Sequence, residues 1–445
     1  MKKLNLTDCI MLISGSMIGS GIFIVPATMA LELQSPILLI LAWIVTALLT
    51  VFAALSYGEL AALMPKAGGQ YVYLREAYNK LIGFLYGWTL FTVIQTGTIA
   101  AVAVAFANYT GVFFPSIADS EIIFQFGVFS ISTKQVLAIA VVWILSWVNF
   151  RGLQIGALVQ NFFTFTKIGA LVVMILAGLY FILTNQPKQI EWSLPSTFNY
   201  SALPTIFGAA LVGSIFSSDA WNNVTFTGSE IENPKRVLPL SLFIGTLGVL
   251  LIYIFINYIY LYCLSYDAIA TAKDSRVGTL LLNTIFGNIG MWIMAALIMV
   301  STFGCINGLT LSGARVYYAM ALDGLFFKKA SVLNKNEVPQ FSLIIQAIWT
   351  SILALSGGYN QLLDYVVIAV MLFYILTVAG VIILRKKQPN TERPYKVWGY
   401  PVIPILYILM ALFVCISLLI EKPGILIVLL GIPIYYLIIK STSKN

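Results

Sequence analysis

Long apolar stretches, separated by short polar ones, follow one another along the whole chain. Each is about 20 residues or longer, the length that a helix needs to cross about 30 Å of hydrocarbon. The pattern predicts twelve membrane-spanning helices, at about residues 8–31, 36–64, 81–113, 134–150, 155–184, 201–229, 238–263, 284–318, 340–356, 362–385, 401–420 and 424–440. The predicted fold class is therefore an all-α polytopic membrane protein.

Two of these stretches are interrupted by small or polar residues. Residues 14–21 in the first read SGSMIGSG, and residues 216–223 in the sixth read FSSDAWNN. In lipid, a broken helix survives only where it is buried in protein or lines a watery cavity. For the first tract, a close helix contact through Gly15 and Gly19 is the alternative, because GxxxG pairs are common in membrane spans.

The spacing of the two interruptions favours a functional interpretation. Five spans separate them, and transporters built from inverted five-span repeats begin each repeat with a discontinuous helix. We therefore predict a first repeat over residues 1–190, a second, inverted repeat over 191–386 and two accessory spans over 387–445. Because the two halves share no residue-level identity, this prediction depends on the paired interruptions alone.

Composition and charge agree with this class and predict an orientation. Of the 445 residues, 60% are hydrophobic and 9% are charged. With the N-terminus in the cytoplasm, nineteen of the 25 basic residues lie inside, five lie outside and Lys167 lies within a span. The positive-inside rule then predicts that both termini are cytoplasmic. Because topology explains the net charge of +8, no nucleic acid partner is expected.

The residue types available exclude several classes of function. The chain has no histidine, and its four cysteines are scattered singly, without disulfide or metal-ligand spacing. An intramembrane enzyme would need a nucleophile with a base or a metal cluster, and a channel would need a ring of like side chains or a filter loop. We therefore expect a transporter without metal or cofactor; a sensor that binds without transporting stays an alternative.

The interruptions suggest which substrate is carried. The start of the second half of a broken helix, near Ser20, offers N–H groups and a positive dipole end that suit a carboxylate. The end of the first half, near Met17 and Ile18, offers carbonyls that suit an ammonium, and the sixth span offers carbonyls near Phe216 and Ser218. Two such breaks that face each other predict a site for a zwitterion, an α-amino acid.

Several segments resemble the amino acid-polyamine-organocation superfamily and, within it, the L-type amino acid transporters. They are GSMIGSGIF in the first span, NFRGLQIGALVQNFFTFTKIGAL leading into the fifth, FSSDAWNNVTFTGSEIENPKRVLP through the sixth, ARVYYAMALDGLFF after the eighth and RKKQPNTERPYKVWGYP before the eleventh. The resemblance implies the five-plus-five inverted repeat of the sodium-leucine transporter type, with helices 1 and 6 discontinuous.

The resemblance also implies roles for residues of the two breaks. The N–H groups of Ser20 and Gly21 would bind the substrate carboxylate, while the carbonyls of Met17, Phe216 and Asp219 would take the α-amino group. Phe216 would also close over the substrate as an outer lid.

For the side chain of the substrate, the resemblance implies a pocket lined by Trp221. Eukaryotic members pair with a glycoprotein through a cysteine in the second outer loop, and the loop at 114–133 has none. We therefore expect no disulfide-linked subunit, but a prokaryotic plasma-membrane protein that is a monomer or a homodimer.

Lys167 lies near mid-depth of the fifth span, where a charge costs about 3 kcal/mol. Snorkelling is the alternative, but either surface is too far away. The resemblance places its ammonium where sodium sits in sodium-coupled relatives, so we expect it to replace the cation. A lysine that stays protonated predicts sodium-independent exchange or facilitated transport, whereas one that cycles its proton predicts proton symport.

Other charged residues have two interpretations each. Asp219 either caps the second half of the sixth span or faces the pocket and recruits a cationic side chain, so neutral and mixed neutral and cationic substrates both stay open. Glu230 with Arg151 or Arg236 either forms an inner gate or belongs to a solvated charged rim.

Overall fold

A computed structural model describes residues 3–118, 122–126, 129–185, 189–194, 200–356, 359–421 and 426–442. Outside these ranges lie Lys2, Lys188, Lys422 and Lys444, which counted toward the predicted orientation, and residues 119–121 and 127–128 of the outer loop. The α-helices are α1 (Leu6–Met17), α2 (Gly21–Leu33), α3 (Pro36–Leu63), α4 (Gln70–Ala77), α5 (Lys80–Thr89), α6 (Gln95–Thr110), α7 (Pro115–Ala118), α8 (Thr133–Phe150), α9 (Leu153–Thr184), α10 (Leu203–Ser217), α11 (Pro234–Cys263), α12 (Tyr266–Ala270), α13 (Val277–Phe286), α14 (Asn288–Leu322), α15 (Gln340–Ser356), α16 (Tyr359–Lys387), α17 (Val402–Glu421) and α18 (Leu426–Thr442).

Within the described residues, eight helices are long and apolar enough to cross a membrane, or nine when the bent pair α1 and α2 counts as one span. Shorter apolar helices lie at Gln340–Ser356, Val402–Ser417 and Leu429–Ile438, close to the predicted ninth, eleventh and twelfth spans. The protein is thus a multi-pass helical membrane protein. The total of twelve spans and the inverted repeat stay predictions.

The structure adds elements that the hydropathy pattern did not predict. An antiparallel hairpin of β1 (Ile122–Phe126) and β2 (Phe129–Ser132) lies in the loop after the third span, so the fold is not purely helical. The predicted loop at 264–283 contains α12 and most of α13. Helix α13 has 10 residues and is about 15 Å long. Because this is shorter than a membrane span, the hydropathy pattern did not predict it.

Both predicted interruptions are present. Helices α1 and α2 meet at a bend of 42°, with residues 18–20 between them. Helix α10 ends at Ser217, and the chain resumes as a 3₁₀ helix over Trp221–Phe226. Ala220, between the two, adopts a left-handed backbone with φ of 69°, which strains a residue that carries a Cβ. Helix α1 packs against α9, α11 and α14, and these contacts place its break in the protein interior.

Candidate functional site

The two helix breaks touch each other at Gly21 and Ser217. A Cβ on Gly21 would lie 2.2 Å from the Ser217 Oγ and 3.0 Å from the Ser217 Cα, so only glycine allows this approach. The hydroxyl of Tyr253 on α11 lies 3.2 Å from the carbonyl oxygen of Met17 and 3.2 Å from that of Ser217. One tyrosine therefore links the ends of both first half-helices.

Lys167 on α9 reaches the first break from the side. Its Nζ donates to the carbonyl oxygens of Gly15 at 2.6 Å, Ile18 at 2.7 Å and Ser301 at 3.2 Å. The Ser301 hydroxyl adds a contact of 3.1 Å to each of the Ile18 and Gly19 carbonyl oxygens. The side chain is buried, and the three oxygens satisfy the three N–H donors of an ammonium.

Side-chain amide groups form a hydrogen-bonded network that connects four spans. The Asn149 amide donates to the Asn307 side-chain oxygen at 3.0 Å, and the Asn307 amide donates to that of Gln160 at 2.9 Å. Gln160 then donates to the Thr164 hydroxyl at 3.4 Å, which donates to the Met11 carbonyl at 3.1 Å. Successive hydrogen bonds that run in one direction polarise one another. This network links α1 to α8, α9 and α14.

Asp219 lines a cavity. Its Oδ1 accepts a hydrogen bond of 2.6 Å from the Tyr374 hydroxyl on α16, and its carboxylate also accepts from the Ala220 backbone N–H at the start of the 3₁₀ helix that follows. The cavity begins at the sixth-span break and continues between the third span and α16. It is lined by Gln70, Tyr86, Leu90, Ile94, Gln95, Thr98, Asp219, Ala220, Asn222, Asn223, Leu309, Val370 and Tyr374.

The described conformation is closed around this cavity. Its volume is about 10 Å³, room for about one water molecule. The carbonyls predicted to hold an amino group are engaged in protein contacts. That of Met17 faces Tyr253, that of Ile18 faces Lys167 and that of Phe216 accepts from the Asp219 N–H at 3.2 Å. Substrate access therefore requires the spans to separate here.

The aromatic residues of the prediction lie beside the cavity. Trp221 is fully buried, and its ring lies 4.7 Å from that of Tyr57 and 5.2 Å from that of Tyr374. It packs against Tyr374 and is not among the residues that line this closed cavity. The expectation that it lines the substrate pocket stays a prediction. Phe216 is buried at the end of α10, one residue before the contact with Gly21.

The ion pair formed by Glu230 differs from the expected one. Glu230 pairs with Arg315 on α14, with 3.1 Å between Oε2 and Nε, and not with Arg151 or Arg236. Arg151 lies over the Trp147 ring, 4.1 Å from its centroid. Hydropathy could not single out Arg315, because it lies in the last turns of an apolar helix, where an arginine is ordinary.

Glu59, near the end of α3, belongs to a second cluster of charged residues. The structure buries its carboxylate between Arg385, at 2.8 and 2.5 Å, and Arg393, at 3.2 Å. The Val397 N–H donates to the same group at 2.8 Å. Glu59 thus links the end of α3 to the end of α16 and to the segment that leads into α17.

Comparison with known proteins gives matches along nearly the full chain. The family described as amino acid permease matches residues 4–440. The serine/threonine exchanger SteT of Bacillus subtilis (strain 168) is 31% identical over 443 residues, which cover 98% of this chain and 96% of that protein. The human large neutral amino acids transporter small subunit 2 is 31% identical over 446 residues, 98% of this chain and 80% of that protein. The mouse b(0,+)-type amino acid transporter 1 is 28% identical over 451 residues, which cover 98% of this chain and 88% of that protein.

Proposed function

Since this chain belongs to the amino acid permease family and is an amino acid transporter, not an enzyme, we propose that it exchanges L-amino acids without sodium. In this proposal, substrates on the two sides of the membrane move in turn through one alternating site. Neutral amino acids are the principal substrates.

The observation that carries the proposal is the position of the Lys167 ammonium. It contacts the Gly15, Ile18 and Ser301 carbonyl oxygens at 2.6 to 3.2 Å, and the Ser301 hydroxyl lies against the same break. Carbonyl and hydroxyl oxygens between two spans are the ligands that a sodium ion would use. A fixed charge here makes a mobile cation unnecessary, so the ion gradient is not coupled to transport.

The substrate backbone is proposed to bind at the breaks once the spans separate. The N–H groups of Ser20 and Gly21 would hold the carboxylate at the positive end of α2. The carbonyls of Met17, Ile18, Phe216, Ser218 and Asp219 would become acceptors for the amino group, with Gly19 leaving space beside them. In the closed conformation those of Met17, Ile18 and Phe216 are engaged by Tyr253, Lys167 and the Asp219 N–H, respectively.

Gating is proposed to involve both ends of the site. Phe216 would close the outer side. The Glu230–Arg315 pair would open and close the inner side, and Arg151 is proposed to take part in this inner gate. We further propose twelve spans in two inverted repeats, 1–190 and 191–386, with accessory spans in 387–445, both termini in the cytoplasm and a location in a prokaryotic plasma membrane. No disulfide-linked subunit is proposed.

Proton symport is the second candidate, and one observation favours it. Among the described residues, the hydrogen-bond acceptors of Lys167 are three neutral carbonyls, and no carboxylate in direct contact holds its proton. A lysine in such a place can lose its proton during the cycle. The same position would then carry the coupling proton.

Flux measurements in proteoliposomes separate these candidates. Vesicles are loaded with unlabelled amino acid or left empty, and uptake of a labelled amino acid is followed with no gradient, a sodium gradient or a proton gradient. An exchanger needs the internal amino acid and ignores both gradients. Uptake into empty vesicles that a proton gradient drives would favour symport, whereas binding without any flux would favour a sensor.

A further inference from the structure

The loop between α14 and α15, residues 323–339, exposes large apolar side chains next to basic ones. Its basic residues, called the loop lysines below, are all exposed and are Lys328, Lys329 and Lys335. Phe327, which is 59% exposed, directly precedes the first of them. Val332 and Leu333, which are 65% and 40% exposed, lie shortly before the last. Apolar and positively charged groups therefore occur side by side twice in this loop.

The positive charge of this loop is not balanced by the protein itself. Within the residues that the structure describes, none of the loop lysines forms an ion pair or a side-chain hydrogen bond. The loop has two acidic residues, and Asp323 is paired with Arg75, whereas Glu337 is exposed. Three exposed ammonium groups thus face one exposed carboxylate, and a partner of negative charge would complement the surface.

Contacts of the loop place it at the ends of helices long enough to cross the membrane. It continues directly from α14, and the side-chain amides of Asn334 and Asn336 donate to the carbonyl oxygen of Phe150, the last residue of α8, at 3.1 and 3.3 Å. One turn earlier on α8, the Trp147 ring is 54% exposed. Exposed tryptophan at the end of a span is typical of the membrane–water interface. The apolar residues of the loop therefore lie within reach of lipid.

We propose that this loop is a docking surface for anionic phospholipid headgroups. Phe327, Val332 and Leu333 enter the boundary between headgroups and acyl chains, and the loop lysines bind the negatively charged headgroups. Lysine suits this place, because its apolar stem can lie in lipid while its ammonium stays at the headgroups. Each basic side chain near an anionic membrane surface adds to the attraction, whereas a zwitterionic headgroup offers no net charge. In the proposed orientation this surface faces the cytoplasmic leaflet.

Docking would hold the end of α14 against the membrane. Two ion pairs lie at this end: Arg315 pairs with Glu230, which follows the sixth-span break, and Asp323 pairs with Arg75 on α4. The elements that carry Glu230 and Arg75 would then move relative to a fixed α14 when these pairs open.

The test measures the melting temperature of the purified full chain in detergent with added lipid. Phosphatidylglycerol should raise it at concentrations where phosphatidylcholine does not, because a ligand stabilises the state that it binds. In the triple variant Lys328→Gln, Lys329→Gln and Lys335→Gln, the phosphatidylglycerol concentration that gives half of this shift should rise about tenfold or more. The same three positions changed to arginine should keep the wild-type response, since arginine retains the charge.

A second triple variant controls for net charge. Lys66→Gln, Lys80→Gln and Lys235→Gln remove the same charge at exposed lysines outside the loop, and this variant should respond to phosphatidylglycerol as the wild type does. Equal responses of the two glutamine variants would overturn the proposal. Stabilisation of the wild type by inorganic phosphate as strong as that by phosphatidylglycerol would also overturn it, because the ligand would then be a free anion and not a membrane.

Fluorescence quenching in vesicles tests where the apolar residues lie. Phe327→Cys carries an environment-sensitive label, and the four native cysteines are buried, so the label is confined to the loop. Phosphatidylglycerol with a doxyl group on its acyl chain should quench this label more than phosphatidylcholine with the same group, and the difference should disappear when the loop lysines are changed to glutamine. Equal quenching by the two lipids with the loop lysines intact would contradict the proposal.

Neither measurement requires transport. Loss of the exchange proposal in flux experiments would therefore leave this surface in place, and loss of the lipid preference would leave the exchange proposal untouched.

Discussion

The Lys167 ammonium lies 2.6 Å from the carbonyl oxygen of Gly15, three residues before the first helix breaks. The contact joins α9 to the half-helix α1 next to the break where the proposed site would open. In the proposed function, this ammonium, with its contacts to Ile18 and Ser301, takes the place of a bound cation.

Lys167→Met removes the ammonium and keeps an unbranched chain of similar length. The Gly15 carbonyl then loses this donor in a buried place, at about 1 to 3 kcal/mol, and the Ile18 carbonyl keeps only the Ser301 hydroxyl. We expect the exchange rate in proteoliposomes to fall at least tenfold. Lys134→Met, in the first turn of α8, should leave the rate within twofold of wild type. A Lys167→Met variant as active as wild type would refute this role.

Gly21→Ala tests the contact between the two breaks. A Cβ at this position would lie 2.2 Å from the Ser217 Oγ, so the breaks would have to separate and the closed conformation would be disfavoured. Exchange should fall at least tenfold while the protein stays folded in detergent. Gly169→Ala is the matched control, because a Cβ there meets no atom within 4 Å; it should preserve exchange and stabilise α9 by about 0.5 to 1 kcal/mol.

Tyr253→Phe removes the hydroxyl that the Met17 and Ser217 carbonyls share. The lost hydrogen bond should destabilise the closed conformation by about 1 kcal/mol and lower the maximal exchange rate a few-fold. Tyr258→Phe on the same helix, where the ring is 40% exposed, is the control. Equal rates in the two variants, measured over a full range of substrate concentration, would mean that the bridge does not contribute to the cycle.

Glu59→Gln should lower the stability of the protein more than its transport. It leaves Arg385 and Arg393 without their shared carboxylate, and breaking a buried ion pair costs about 3 to 5 kcal/mol. The melting temperature in detergent should drop by several degrees. Glu76→Gln removes an exposed partner of Arg75, worth about 1 kcal/mol or less, and should change the melting temperature little. A larger drop in Glu76→Gln would contradict this ranking.

The sequence predicted the positions of helices well because lipid imposes a length and an apolar composition on each span. The stretch at 340–356 coincides with α15, and the interruptions at 14–21 and 216–223 coincide with the two breaks. Helix α13 and the hairpin at 122–132 were missed, since neither has the apolar length of a span.

The local sequence pattern did not predict contacts between residues that are far apart in the chain. Asp219 contacts Tyr374, 155 residues away, and Glu230 contacts Arg315, 85 residues away. Polarity at 216–223 indicated a site, but only the packing of α16 against the third span and α10 decides which side chains face Asp219. The resemblance implies a place for Trp221 in the pocket, and the ring contact with Tyr374 puts it next to the cavity wall.

The central claim is that the charge on Lys167 stays in place during transport. The most direct test follows the pH inside sodium-free vesicles with a trapped indicator while external and internal amino acids exchange. We predict exchange at full rate with no change in internal pH. Acidification that keeps pace with amino acid uptake, and disappears in Lys167→Met, would contradict the claim and make this lysine the proton carrier.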